Sequence, residues 1–167
     1  MPLRSMKGSY AGAIGLPQFM PDSWRDYGVD FDCDGKVDLR NSVADSIGSV
    51  ANFLKQKGGW IPGQDVVYAA KFDTDTPKIK ELLEKPIQPS LTIKEIKTFG
   101  ISSPETIKPD VKLSLIDLPN GDKATTYVLG SQNFYAITRY NKSYMYAMSV
   151  YDLGSAVMKA RSSAASK

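Results

Sequence analysis

Asp30, Asp32 and Asp34 alternate along the stretch Tyr27-Gly-Val-Asp-Phe-Asp-Cys-Asp-Gly-Lys-Val-Asp-Leu39 and stand directly before Gly35. Carboxylates at such spacing repel one another unless a counter-charge sits between them. Oxygens at positions 1, 3 and 5 of a glycine-containing loop are what a calcium loop of the EF-hand type offers a hard cation. In that reading Lys36, at position 7, contributes only its backbone carbonyl. Position 12, where a bidentate glutamate would close the shell, is Asn41, and the next carboxylate is Asp45. The expected ligands of this variant loop are therefore Asp30, Asp32, Asp34, Lys36 and Asp45. The ion is Ca2+ rather than Mg2+, whose smaller octahedral shell keeps its waters. The same residues also make an ordinary solvated Asp/Gly turn through local hydrogen bonds.

Other chemistries are excluded by what is missing. The sequence has no histidine, so it can build no Ser-His-Asp triad, Cys-His dyad or His-ligated zinc site. Its one cysteine, Cys33, cannot close an internal disulfide and is disfavoured as a thiolate among carboxylates. The formal charge of +3 is spread out, with Lys78, Lys80, Lys85, Lys94 and Lys97 over short helical segments. No basic stripe for nucleic acid results. There is no run of about 20 apolar residues to cross a membrane and no signal-peptide pattern at the start. The abrupt opening, Met1-Pro-Leu-Arg-Ser-Met-Lys-Gly8, is expected to be the start of a piece of a longer protein.

The elements that must position the loop can be read around it. Pro21 suits a first helical turn, so a short helix carrying Trp24 leads into the loop. After the loop, Asn41 or Ser42 caps a helix running to about Lys57, with Val43, Ile47, Val50, Ala51 and Leu54 at helical spacing as its packing face; Gly58-Gly59 ends it. Helix, acidic loop, helix is the setting a calcium loop requires. Beyond Trp60 the texture changes. A strand is expected over 65–72, short helices over 78–84 and 92–99, and strands over 112–118 and 125–129, joined across Pro119-Asn-Gly-Asp122 by more than a tight two-residue turn. Ser143 caps a last helix to about Arg161, with Met145, Met148, Leu153 and Val157 available to pack, and the Ser/Ala tail after it frays.

The segment Gly8-Ser-Tyr-Ala-Gly-Ala-Ile-Gly-Leu-Pro-Gln-Phe-Met-Pro-Asp-Ser23 resembles the glycan-groove motif of the membrane-bound lytic murein transglycosylase B family, within the lysozyme-like superfamily. In that family an acidic calcium loop follows, then Ser-Val-Ala-Asn in a helix, and later Ile-Thr-Arg-Tyr-Asn. Here these occur in order as Asp30 to Asp38, Ser49 to Asn52 and Ile137 to Asn141. The resemblance spans nearly the whole chain. It implies cleavage of the β-1,4 bond between N-acetylmuramic acid and N-acetylglucosamine without water, leaving a 1,6-anhydromuramyl end. A single glutamate protonates the leaving oxygen and then serves as base for the sugar's own 6-hydroxyl.

That glutamate belongs to a segment upstream of the groove motif in the family, and none of the seven residues before Gly8 is acidic. The first glutamate is Glu81, and Glu81, Glu84, Glu95 and Glu105 read as surface residues. No catalytic residue is assigned in this chain. The resemblance implies substrate contacts from Ser9, Gln18, Tyr140, Asn141 and Tyr146; each also has a plain structural reading, Ser9 capping a turn, Gln18 bonding backbone, a tyrosine filling a core. Phe53 and Trp60 are expected in the core.

The expected fold is α+β, a helical lysozyme-like core fragment over 1–62 with the groove motif and calcium loop. A small α+β lobe covers 63–131, and 132–167 returns to the core with a groove strand and a C-terminal helix. The expected function is that of a portion of a periplasmic peptidoglycan lytic transglycosylase, an outer-membrane lipoprotein when full length, this chain being inactive alone. Glycan strands are the partner, and self-association of the truncated core is conceivable. The competing reading is a non-catalytic, calcium-stabilised glycan-binding or scaffold module.

Overall fold

The computed structural model describes residues 8–71 and 77–165. The chain divides into two compact units, Met1–Lys57 and Gly58–Lys167.

In the first unit, Ile14 and Phe19 bridge across the turn that holds Gly15 and Pro17. Helix α1 (Pro21–Tyr27) starts with proline in its first turn, as expected. Helix α2 (Val43–Gln56) is capped by Ser42, whose hydroxyl accepts from the Asp45 N–H. The core is small. Phe19, Leu39 and Phe53 are buried, and the Phe53 ring lies 5.0 Å from Tyr27 edge to face and 5.7 Å from Phe19.

The apolar spacing of α2 predicts the wrong buried face. Val43 and Ile47 are 62% and 63% exposed, whereas Asp45, Ser46, Gly48, Ser49 and Phe53 are buried. The reason is that α2 turns its small and polar side to the loop. Ser49 Oγ accepts from the Val29 N–H at 2.9 Å, and Asn52 Nδ2 donates to the Tyr27 carbonyl at 3.0 Å. Gly48 lies so close under Phe31 that a Cβ there would come within 2.6 Å of its ring. Backbone donors near a helix must find partners, and only this face offers them. The apolar stripe, with Leu16 and Pro17, lines an open groove.

The second unit is built on a four-stranded antiparallel sheet in the order β1-β4-β3-β2. Its strands are β1 (Val67–Ala69), β2 (Leu91–Thr92), β3 (Lys112–Asn120) and β4 (Lys123–Gly130). The predicted strand over 65–72 is shorter than expected, and its end at Phe72 lies outside the described residues. Strands β3 and β4 are joined by two residues only, Gly121 and Asp122, with Asn120 facing Lys123. The connection is thus tighter than expected, because Gly121 takes a φ of +61°, the left-handed region that tight hairpins demand. The register slips between Leu118 and Asn120, where Pro119 has no N–H to give the ladder.

Side chains alternate across this sheet. Leu113, Leu115 and Leu129 face one cluster with Ile79 and Leu82 of α3 (Pro77–Leu83) and Ile96 of α4 (Ile93–Lys97). Ile116, Leu118 and Val128 face the other, with Phe134 and Ile137 of α5 (Gln132–Tyr140) and Ala147 of α6 (Tyr144–Ala165). Trp60 packs half-buried against that second cluster.

Two expectations for 132–167 are corrected. The stretch 132–140 is a helix, not a groove strand: Ser131 caps it, and Asn133, Phe134, Ala136, Ile137 and Thr138 are buried at helical spacing. In α6 only Ala147 is buried; Met145, Leu153 and Val157 are exposed. Aromatic and β-branched residues favour strands only weakly, and a capped, one-sided burial pattern overrides that preference. Helix α6 also continues to Ala165, past the expected end near Arg161.

Candidate functional site

Asp45 organises the acidic loop. It is 1% exposed and sits in the first turn of α2. Its Oδ1 accepts from the backbone N–H of Phe31 at 2.8 Å and of Asp32 at 3.4 Å, and its Oδ2 from that of Asp38 at 2.8 Å. The Asp38 N–H is the strongest influence holding this carboxyl below its ordinary range; burial opposes the shift, and the N–H groups of Phe31 and Asp32 add to it. Asp38 is shifted the same way by Asn41 and by the N–H groups of Arg40 and Asn41.

Around that anchor, Asp30, Asp32 and Asp45 each bring one carboxylate oxygen within 4.8 Å of the others. Asp30 also accepts from the N–H groups of Asp34 at 3.1 Å and Gly35 at 2.8 Å, while Asp32 accepts from Ser42 Oγ at 2.7 Å. Asp34 does not join that trio; its carboxylate caps the Lys36 N–H at 2.9 Å. The chain reverses at Cys33 and Gly35, with φ of +62° and +89°. Glycine adopts this conformation freely and cysteine only at a cost. All the donors gathered here are hard oxygens, the set that suits calcium or magnesium; the exposed thiol of Cys33 lies outside the trio.

The loop is tied to the glycine-rich segment in the same unit. The Leu16 N–H donates to the Leu39 carbonyl at 2.7 Å, and Gly15, at φ +75°, packs against the same peptide. Within the segment, Ser9 Oγ accepts from the Ala13 N–H at 3.0 Å. Gln18, itself at φ +52°, donates from Nε2 to the Gly15 carbonyl at 2.9 Å. Both side chains therefore brace turns, and both residues are exposed.

Tyr140, Asn141 and Tyr146 cluster at the junction of α5 and α6 in the second unit. Asn141 is the exposed C-cap of α5, and Tyr140 and Tyr146 are half-buried. Burial, with a smaller contribution from Tyr146, pushes the Tyr140 phenol up to about 12. A phenol raised above its ordinary 10.0 favours the fold below that pH and withdraws the contribution as pH climbs through the folded value. We expect a tyrosinate absorbance titration to show one phenol ionising near 12 and stability falling between about 10 and 12. Tyr140→Phe should abolish the late phase; a late phase that survives the substitution would assign it elsewhere.

None of the four glutamates is placed as an acid catalyst. Glu95 closes a capping box with Thr92, Glu105 holds the Ala69 N–H and Ser103 Oγ, and Glu81 pairs with Lys85 at 3.8 Å; Glu84 is exposed. Thr92 lowers the pKa of Glu95 and Ser103 that of Glu105, the opposite of what a proton donor at neutral pH needs. The sequence reading passed over a pocket in the second unit lined by Gln64, Tyr68 and Lys108 among others. No spacing rule links those residues.

The family described as the transglycosylase SLT domain matches residues 1–155. The chain belongs to that family. It is 39% identical over 157 residues to the membrane-bound lytic murein transglycosylase B of Escherichia coli K12, covering 94% of this chain and 41% of that protein. Among solved structures, it resembles the catenated lytic transglycosylase SltB1 of Pseudomonas aeruginosa with a TM-score of 0.82 and 41% identity, over 94% of this chain and 50% of that one. It also resembles the Escherichia coli lytic transglycosylase Slt35 in complex with calcium, with a TM-score of 0.78 and 38% identity, over 93% and 47% of the two chains. SltB3 of Pseudomonas aeruginosa, in complex with NAG-NAM-pentapeptide, gives 0.74 and 34%, over 90% and 40%. This SLT domain chain thus spans about half or less of the length of the relatives it matches, and its mixture of helices with a small antiparallel sheet agrees with theirs.

Proposed function

We propose that this chain is the part of a peptidoglycan lytic transglycosylase that shapes the glycan groove and carries a structural calcium ion, with the acid supplied from outside Met1–Lys167. The observation that carries the reading is the family match across residues 1–155. In the whole protein a glutamic acid protonates the glycosidic oxygen between N-acetylmuramic acid and N-acetylglucosamine as the C–O bond breaks. The resulting carboxylate then takes the proton of the 6-hydroxyl, whose oxygen closes the 1,6-anhydro ring at the anomeric carbon. Ser9, Gln18, Tyr140, Asn141 and Tyr146 position the sugars by hydrogen bonds and phenol contacts.

Asp30, Asp32 and Asp45 fit a calcium ion by donor type and convergence, and the Lys36 carbonyl stands at the loop position that supplies a backbone ligand in an EF-hand. Bound there, the ion neutralises the clustered carboxylates and fixes the loop against α2. Its chemistry is structural. The site of action is the periplasm, where a lipid anchor would hold the whole protein at the outer membrane. No helix among the described residues is long and apolar enough to cross a membrane.

The test uses purified, insoluble peptidoglycan. This chain should co-sediment with it and release no anhydromuropeptides, while the whole protein releases them. Turnover by the chain alone would place the acid among its own residues, and failure to co-sediment would remove the groove assignment.

A further inference from the structure

The apolar stripe of α2 stays open to solvent. With Leu16, the residues Val43, Ile47, Val50, Ala51 and Leu54 line a groove of about 480 Å³ that lies wholly within the first unit. Leu16, Val43 and Ile47 are 56%, 62% and 63% exposed. From Val43 to Leu54 the groove follows α2 for about 16 Å, three helical turns. A contiguous apolar surface rimmed by polar residues marks a place of contact.

The wall restricts what can lie there. Among its described residues only Ser46 has a polar side chain, and that hydroxyl is turned inward, donating to the Ser42 carbonyl at 2.8 Å. The hydroxyls of a glycan strand would find no partner in the groove. Neither would the backbone of an extended peptide or a loop, because buried N–H and C=O groups need hydrogen bonds. A helix brings its backbone bonds with it and can lay an apolar face into such a groove, with anchors at i, i+3 or i+4 and i+7.

The position of the groove says which helix. Leu16 and Pro17 form the middle of a four-residue turn that Gln18 closes, giving the Gly15 carbonyl its N–H at 3.1 Å and its Nε2 at 2.9 Å. The groove wall and a proposed sugar contact thus belong to one turn. An acid must come within about 3 Å of the glycosidic oxygen to protonate it, so the element that bears it has to pack against this unit close to Gln18. Apolar surroundings also keep a carboxyl protonated to higher pH, as a general acid requires. More than half of the Escherichia coli relative lies outside the stretch matched here, enough chain for such an element. A second copy of this chain would cover the groove without bringing an acid, since Glu81, Glu95 and Glu105 are engaged elsewhere.

We propose that the groove along α2 seats an amphipathic helix of the segment that supplies the acid, and that this contact sets the acid beside Gln18. The assignment rests on the proposal that the acid comes from outside Met1–Lys167, and it adds where on this chain that segment docks and by which residues. Helix α2 then serves two partners, the acidic loop on its polar face and the acid-bearing helix on its apolar one.

The full chain is co-expressed with the remainder of the Escherichia coli transglycosylase B, the part outside its match to this chain, carrying an affinity tag. The two should co-purify as a pair and release anhydromuropeptides from peptidoglycan. Ile47→Asp and Leu16→Asp each set a charge in the groove and should weaken the pair about tenfold or more, whereas Ile47→Leu should keep it. Both positions are exposed, so melting curves of the two aspartate variants alone should match that of the unsubstituted chain. A pair that neither aspartate weakens, or no pair at all, overturns the docking. Pairing that both aspartates weaken, without turnover, supports the docking and overturns the outside origin of the acid. Turnover that they leave undiminished keeps that origin and overturns the docking. Self-association through the groove that the remainder does not displace gives the groove to a second copy and overturns the proposal.

Discussion

Asp45→Ala should lower the melting temperature of the chain by roughly 10 °C, the shift expected when a buried charged acceptor is deleted from a small unit, and should abolish any rise on adding calcium. The substitution strands the N–H groups of Phe31, Asp32 and Asp38, all of which now meet its carboxylate. It also removes one of the three convergent oxygens. Asp34→Ala is the informative control, because Asp34 holds only the Lys36 N–H and lies outside the trio. It should cost far less and leave a calcium response in place. A ligand that binds only the folded state stabilises it by mass action, by about 2.7 kcal/mol at a hundredfold excess over Kd. Circular dichroism melts with calcium and with chelator read both quantities. Equal effects of the two substitutions would show that Asp45 is not the anchor, and a calcium response that survives Asp45→Ala would move the ion elsewhere.

The second large effect is expected at Gly15. A Cβ added there would lie 2.3 Å from the Leu39 carbonyl oxygen and 2.9 Å from its carbon, at a φ of +75°. Neither atom can step aside, because both are backbone and Leu39 is fully buried. Gly15→Ala should therefore cost about 3–5 kcal/mol, in the range reserved for a clash in the core. Gly12 separates strain from clash, since its φ is +86° and nothing lies within 4 Å of a Cβ built on it. Gly12→Ala should cost only about 1–2 kcal/mol, the price of a left-handed alanine. Urea denaturation measures the pair. Similar losses at the two sites would mean that the glycine-rich segment is not clamped to the loop through the Leu39 peptide. If the clamp is real, Gly15→Ala should also weaken co-sedimentation with peptidoglycan, because Gln18 bonds the Gly15 carbonyl twice, from its backbone N–H at 3.1 Å and from Nε2 at 2.9 Å.

The acidic loop was legible because its information is local. Alternating aspartates before a glycine make a turn and a cluster of carboxylates within a few residues, and Asp45 could be named with Asp30 and Asp32 because α2 begins where the cap residues say it does. What spacing did not reveal was that Asp34 turns to its own loop's backbone while Asp45 reaches back to three N–H groups. That choice depends on how the loop lies on the helix. Among the proposed glycan contacts, residue type pointed to hydrogen bonding for Ser9 and Gln18, and the fold shows both bracing turns. Their remaining capacity is what the groove would use.

The amphipathic reading of α2 failed for a related reason. Periodicity marks the face with the most apolar side chains, but burial follows whichever face the neighbouring backbone needs. Here that face is Asp45, Ser49 and Asn52, which satisfy the loop and the end of α1.

By itself the sequence determined the α+β class, the family, the lack of histidine chemistry and the places where α1, α2, α6 and the acidic loop begin, all matters of residue type and short spacing. Only the tertiary structure decided which side of α2 is buried, that 132–140 is a helix, and that the β3–β4 hairpin is closed by two residues. It also decided that Ser131, Gln132 and Asn133 grip a loop about 70 residues away along the chain. Those outcomes rest on partners distant in sequence, whose hydrogen bonds and packing exist only once the chain has folded.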